Sequence, residues 1–131
     1  MITFKELKRN LKKEVFNLPI VKVSLLGDSA TQFLATSIKG MGIERGYNID
    51  LFEAEYNQVE RQVLDPTSDL YQHDAKYTIV FQSTHKLLEK YAMMSADEQA
   101  RMADDRLEFI RTICAQVSGY IIYYNYPEIE D

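Results

Sequence analysis

The sequence predicts an α/β domain of three layers, in which helices cover both faces of a parallel sheet. Apolar runs of strand length alternate with segments whose apolar residues recur at helical spacing, which is typical of this architecture. The 131 residues have the size of one ordinary domain. No helix follows the last predicted strand, so we expect an incomplete sheet at the C-terminus and a fragment of a longer protein.

The first segment predicts a helix over residues 3–16. Thr3 and Glu6 have the spacing of a capping box, in which each side chain accepts a hydrogen bond from the other residue's backbone N–H. The apolar stripe that follows is narrow and predicts an arm packed on the domain, while the alternative is a helix that binds a partner. We therefore expect a helical arm at 1–18 and an α/β domain at 19–131.

The remaining elements follow the apolar pattern and the positions of glycine and proline. Strands are predicted at 21–26, 47–56, 76–84 and 119–127. Helices are predicted at 30–41 and from Ser95 to about 117, with one or two helical turns at 57–65 and a loop at 66–75. Ser95 and Glu98 form a second capping box at the start of the long helix.

Composition excludes several classes of function. The net charge of -5 and the pI of about 5.1 oppose a general affinity for nucleic acid or anionic membranes. No apolar run approaches the ~20 residues that span a bilayer, and the N-terminus lacks the apolar core of a signal peptide. Cys114 is the single cysteine and has helical spacing with Ile110 and Val117, which predicts a buried, inert thiol. We expect a soluble cytoplasmic domain.

The loops after the four strands are the predicted binding region, because ligands of parallel sheets bind beyond the carboxyl ends of the strands. The candidate binding residues in these loops are Gly27, Asp28, Asn57, Gln58, Ser83, Thr84 and Asn125. The chain contains no glycine-rich phosphate loop, paired metal carboxylates or nucleotide fingerprint. The sequence therefore predicts neither a cofactor nor a metal site.

Ser29 is the candidate nucleophile in the tripeptide Gly27-Asp28-Ser29, where a strand passes into a helix. The N–H groups of a helix N-terminus can stabilise an oxyanion, but a serine also needs a general base. His85 follows the third strand and is the candidate base, whereas His73 precedes that strand and should lie at the opposite end. From the tripeptide alone we favour an alternative, in which Asp28 or Ser29 caps the helix and Gly27 permits a tight turn.

Two stretches resemble a known family. "KVSLLGDSATQFLA" (22–35) resembles the first sequence block of the SGNH/GDSL hydrolases, which have a flavodoxin-like esterase fold. Together with "FEAEYNQVERQVLDPTSDLY" (52–71), it is similar to the N-terminal domain of FkbH-like proteins. The resemblance covers roughly residues 2–127, and the run 57–71 is far more specific than the tripeptide.

The resemblance implies that Ser29 matches the SGNH nucleophile, but three other blocks depart from the hydrolase pattern. The glycine of the second block has no clear counterpart, and "QSTHKL" (82–87) stands where an asparagine is expected. The C-terminal Asp-x-x-His, which would supply the general base, is absent. Either that base lies beyond Asp131 or the domain does not hydrolyse esters.

FkbH-like proteins load a glyceryl unit onto an acyl carrier protein, and a phosphatase domain of the haloacid dehalogenase superfamily carries their chemistry. The resemblance therefore implies two partners, a downstream phosphatase-like domain of the same protein and an acyl carrier protein. We expect an accessory SGNH-like domain that binds an acyl or glyceryl group, a carrier protein or the neighbouring domain. The alternatives are an active serine acyl-hydrolase or acyltransferase and a non-enzymatic interaction domain.

Overall fold

The sheet has four parallel strands in the computed structural model, which describes residues 1–124. The elements in chain order are α1 (Phe4–Asn10), β1 (Ile20–Gly27), α2 (Gln32–Glu44), β2 (Asn48–Glu53), α3 (Val59–Leu64), α4 (Asp69–His73), β3 (Tyr77–Phe81), α5 (Thr84–Met93), α6 (Ala96–Gln116) and β4 (Tyr120–Tyr123). The strand order is β2-β1-β3-β4. The predicted α/β/α architecture with a parallel sheet is confirmed.

Strand β1 lies in the centre of the sheet and is apolar because helices cover both of its faces. Val23 is paired with Leu51 on β2 and with Tyr77 on β3. The side chains of Val23 and Leu25 belong to the core beneath α2, whereas Leu26 faces the opposite side. This alternation divides the apolar residues of one strand between two cores.

The second core lies between the sheet and helices α3, α4 and α6. Its buried residues come from all of these elements and from the loop after β2: Leu26, Ala54, Val59, Val63, Leu70, Val80, Ile113 and Val117. Burying one aliphatic side chain contributes about 1.5–3 kcal/mol. This core therefore holds the segment from α3 to α4 against the sheet.

Helix α1 packs on α2 at a glycine. A Cβ atom on Gly40 would lie only 2.3 Å from the backbone oxygen of Leu7, so the close approach requires glycine. Asn10 is buried and its amide donates hydrogen bonds to the Gly40 carbonyl oxygen and to the Glu44 carboxylate, both at 3.0 Å. The contact joins the N-terminal helix to the α2 layer, while the division of domains at residue 18 remains a prediction.

Both predicted capping boxes are present, but several boundaries differ from prediction. Thr3 with Glu6 caps α1, and Ser95 with Glu98 caps α6. Helix α1 ends at Asn10 instead of residue 16, because the next three N–H groups bond to carbonyl oxygens only three residues back, which tightens the chain into a turn. The predicted loop at 66–75 contains α4, whose Leu70 is buried in the second core.

The prediction of a buried Cys114 is wrong, because its side chain is exposed. Ile113 and Val117 face the sheet from α6, and a residue one position after Ile113 is rotated by about 100° around the helix. Only a narrow stripe of α6 meets the sheet, so helical spacing alone did not identify its buried face. None of the helices between residues 1 and 124 has an apolar stretch of the length that a bilayer requires.

Candidate functional site

The carboxyl ends of β1, β2 and β3 meet at one edge, and backbone hydrogen bonds join the loops that leave them. The Asp28 N–H donates to the Phe81 carbonyl oxygen at 3.2 Å, and the Asn57 N–H donates to that of Gly27 at 3.1 Å. Asn57 has a φ of 65°, a left-handed conformation that asparagine tolerates better than most residues. Three of the four loops that were predicted to meet at this edge therefore do so, and the fourth lies outside the described residues.

Asp28 links the β1 loop to the start of α5. Its side chain is only 7% exposed, and both carboxylate oxygens accept the Ser83 N–H, at 2.9 and 2.8 Å. The Ser83 hydroxyl in turn accepts the Lys86 N–H at 3.4 Å as the N-cap of α5. Asp28 therefore holds the start of α5 in place instead of capping α2.

The expectation that Asp28 or Ser29 caps α2 is wrong. The N-cap is Thr31, whose hydroxyl donates to the Glu53 carboxylate at 2.7 Å instead of accepting a bond from the first turn of α2. The first turn of α2 therefore has no side-chain cap, and its N–H groups are available to other partners. Gly27 permits the turn, because a Cβ atom there would lie 2.5 Å from Thr31 Cγ2.

Ser29 lies between β1 and α2 and is half-buried. Within residues 1–124 no hydrogen bond reaches its hydroxyl, and none joins it to His85, an exposed residue in the first turn of α5. The neighbouring Asp28 carboxylate is occupied by Ser83. The roles of Ser29 as nucleophile and His85 as base therefore remain predictions.

The other predicted residues have different surroundings. Gln58 is the N-cap of α3 without a capping bond, and its side-chain oxygen accepts from Arg61 at 3.4 Å. The Thr84 hydroxyl is buried and has no partner within the described residues. His73 lies away from the loops, with Nε2 3.0 Å from the Asp50 backbone oxygen. Asn125 lies outside the described residues.

A cavity of about 640 Å³ opens between the loop after β1 and the loop after β2. It is lined by Ala30, Thr31, Gln32 and residues 53–58. This volume lies within the 300–1,000 Å³ typical of small-molecule sites. Its lining combines hydroxyl, amide and carboxylate groups with the uncapped start of α2, a combination suited to a small polar ligand.

A second cavity of about 520 Å³ lies beside the first and shares residues 53–55 and Gln58 with it. The turn between α3 and α4 supplies much of its wall, including Asp65, Thr67 and Ser68. Asp65 accepts hydrogen bonds from the Thr67 hydroxyl at 2.7 Å and the Thr67 N–H at 2.9 Å, which lower the pKa of the Asp65 carboxyl. These residues build the turn.

The same turn is tied to the helices on both sides of it. The Ser68 hydroxyl donates to the Gln62 backbone oxygen at 2.6 Å, and the Gln62 side chain accepts the Leu70 N–H at 3.1 Å. The Tyr71 hydroxyl donates to the Val63 carbonyl oxygen, and burial raises the Tyr71 pKa. Among residues 1–124, no three histidine, cysteine or acidic side chains are grouped to hold a metal.

A polar network between the end of β3, helix α6 and strand β4 was not predicted. Gln82, directly after β3, is 7% exposed, and its side-chain oxygen accepts from the Tyr123 hydroxyl at 2.5 Å and from Arg106 at 3.4 Å. Arg106 also forms an ion pair with Glu60 at 3.4 Å. The charged pattern of α6 predicts a solvated face, so only the position of Gln82 at a strand end pointed to this network.

Comparison with known proteins shows what this chain is similar to. The family described as "FkbH, N-terminal domain" matches residues 22–131. The structure is similar to a crystal structure of the N-terminal part of protein BF1531 from Bacteroides fragilis, which contains a phosphatase domain and was complexed with Mg. The TM-score is 0.96 and the identity 63%, over 100% of this chain and 35% of that one. No curated protein matches the chain.

Proposed function

Because the chain belongs to the family of FkbH N-terminal domains, we propose that it is an accessory binding domain in a protein that also carries a phosphatase domain. The chain spans about a third of the BF1531 chain, whose description contains a phosphatase domain. An accessory domain would hold a substrate or a neighbouring domain close to the reaction site of the phosphatase domain. The phosphatase domain and an acyl carrier protein are its proposed partners.

The observation that carries this proposal is the hydrogen bonding of Ser29 and of its neighbour Asp28. Serine needs a base within hydrogen-bond reach to become a nucleophile. Asp28 is occupied by the Ser83 N–H, and within the described residues no base contacts the Ser29 hydroxyl. These contacts support binding over ester hydrolysis by this chain.

The proposed ligand is a glyceryl or short acyl group bound in the 640 Å³ cavity. The start of α2 has uncapped N–H groups that would receive a carbonyl or carboxylate oxygen of the ligand. Gln32 and Gln58 line the cavity and have amides that both donate and accept hydrogen bonds to hydroxyl groups. The domain would then use the sheet edge of an SGNH-like fold for binding instead of hydrolysis.

An active acyl-hydrolase or acyltransferase remains the second candidate, favoured by the unoccupied Ser29 hydroxyl beside the start of α2. The general base would then be His85, in a position that brings it to Ser29, or a residue outside residues 1–124. This candidate predicts turnover of an acyl thioester, whereas an accessory binding domain predicts binding without turnover.

The test is titration of the 131-residue chain with the glyceryl thioester of N-acetylcysteamine, followed by NMR. We expect saturable shifts at residues lining the cavity, and thioester hydrolysis no faster than in buffer. Gln32→Ala should weaken binding about fivefold, the value of one hydrogen bond. Ser37→Ala is the matched control on the same helix, because its hydroxyl donates only to the Phe33 backbone oxygen.

Absence of saturable shifts would overturn the proposed ligand. Equal weakening by Gln32→Ala and Ser37→Ala would overturn the proposed cavity. Hydrolysis that disappears in Ser29→Ala would replace the accessory function with the second candidate.

A further inference from the structure

Helices α5 and α6 form a hairpin with an open apolar groove of about 480 Å³ between them, separate from the polar cavity beside α2. Its apolar walls include Leu87 and Tyr91 from α5 and Met102, Leu107 and Ile110 from α6. Arg106 is the charged residue of its lining. On α6 the lining runs seven residues from Arg106 back to Gln99, which is roughly 10 Å and suits an alkyl chain of about nine carbons.

Helix α5 covers this groove without being packed into the core. None of its residues is buried, and the aliphatic side chains of Leu88 and Met93 are exposed. The helix is held at its ends, by Asp28 at Ser83 and by the Gln99 side chain, which donates to the Tyr91 carbonyl oxygen at 2.8 Å. An alkyl chain that entered between the two helices would therefore displace few buried contacts of α5.

Arg106 lines the groove and also contacts Gln82 directly after β3, so its positive charge lies between the groove and the edge of the sheet. Its side chain is 24% exposed, and two of its five N–H donors make long contacts of 3.4 Å to Gln82 and Glu60. The Glu60 side chain is 39% exposed, so it can turn into solvent when a second carboxylate takes its place. A guanidinium binds a carboxylate strongly because two parallel N–H groups reach two oxygens.

From this geometry we propose that the groove binds an amphipathic anion, an alkyl chain with a carboxylate head group. The alkyl chain lies between Leu87 and Tyr91 on α5 and Met102 and Ala103 on α6. The carboxylate pairs with Arg106. The site goes beyond the proposed function, because it uses a different ligand and no residue of the polar cavity.

The experiment is isothermal titration of the 131-residue chain with decanoate, decanol and butanoate. Decanoate should bind more tightly than decanol, because only the acid pairs with Arg106, and more tightly than butanoate, because the groove accommodates the longer chain. Arg106→Gln should weaken decanoate binding about tenfold and leave decanol binding unchanged. Met102→Asp should weaken binding of both long ligands, with circular dichroism used to show that each variant is folded.

The matched control is Arg111→Gln on the same helix, because Arg111 is exposed and contacts only Glu108, at 3.9 Å. Its affinity for decanoate should equal that of the wild-type chain. Equal losses in Arg106→Gln and Arg111→Gln would overturn the head-group assignment. Absence of decanoate binding, or equal affinity for butanoate, would overturn the site and leave the groove as a surface for a protein. The glyceryl thioester titration is unaffected by either result.

Discussion

Helices α2 and α5 begin side by side at the carboxyl edge of the sheet, but different contacts hold them in place. Helix α2 has no side-chain cap, yet it buries Ala35 and Gly40 between the sheet and α1. Helix α5 is capped by Ser83 and tied to Asp28, yet it buries no residue. One helix is held by packing along its length and the other by contacts at its ends.

This difference shows that the anchoring of a helix end and the packing of its faces are independent. Because packing holds α2, its first N–H groups need no cap and remain available for a ligand. Because end contacts hold α5, its face toward α6 is free to form a groove instead of a core. The cavity beside α2 is therefore a proposed site because α2 lacks a side-chain cap. The groove beside α5 is one because α5 lacks buried residues.

The largest expected effect is the loss of the contact between β1 and α5 in Asp28→Ala. A hydrogen bond to a buried carboxylate contributes about 1.5–3 kcal/mol, so we expect the free energy of unfolding to fall by about 2–3 kcal/mol. Urea denaturation measures the change. Asp28→Asn should lose less because it keeps one acceptor oxygen. Asp104→Ala, on the exposed side of α6, is the control and should change stability little.

The next effect tests whether packing holds α2. Gly40→Ala places a Cβ atom 2.3 Å from the Leu7 carbonyl oxygen, and overpacking of this kind costs about 1–3 kcal/mol. We expect a loss of about 2 kcal/mol in thermal or urea denaturation. Gly42→Ala should cost less, because its Cβ atom would meet a side-chain atom, Ile49 Cγ1 at 2.3 Å, which can move more readily than the backbone of Leu7. Equal stabilities of the two variants would show that α1 does not press on α2.

The smallest effect is expected from Ser83→Ala, which removes the cap of α5. Loss of an N-cap serine costs about 0.5–1 kcal/mol, toward the low end here because the bond to Lys86 is 3.4 Å long. Amide hydrogen exchange should become faster along α5 and stay unchanged along α2. Acceleration spread equally over both helices would contradict the view that α5 is held by its ends.

The sequence predicted the fold well, because the fold depends on local patterns. The capping boxes at Thr3 and Ser95 involve residues three positions apart, and both are present. The tripeptide Gly27-Asp28-Ser29 lies at the predicted edge of the sheet, where the loops after β1, β2 and β3 meet. The partner of Asp28 could not be predicted, because Ser83 is 55 residues away in the chain.

The sequence by itself determined the alternation of strands and helices and the parallel sheet, because hydrophobic periodicity and turn residues act over a few positions. The family followed separately, from the resemblance of residues 22–35 and 52–71 to a known domain. Only the tertiary structure decided which face of each helix is buried and which side chains meet. Cys114 is exposed because α6 presents one narrow stripe to the sheet, and Arg106 meets Gln82 because α6 crosses the end of β3. Such contacts depend on how separate elements are placed, which no short stretch of sequence specifies.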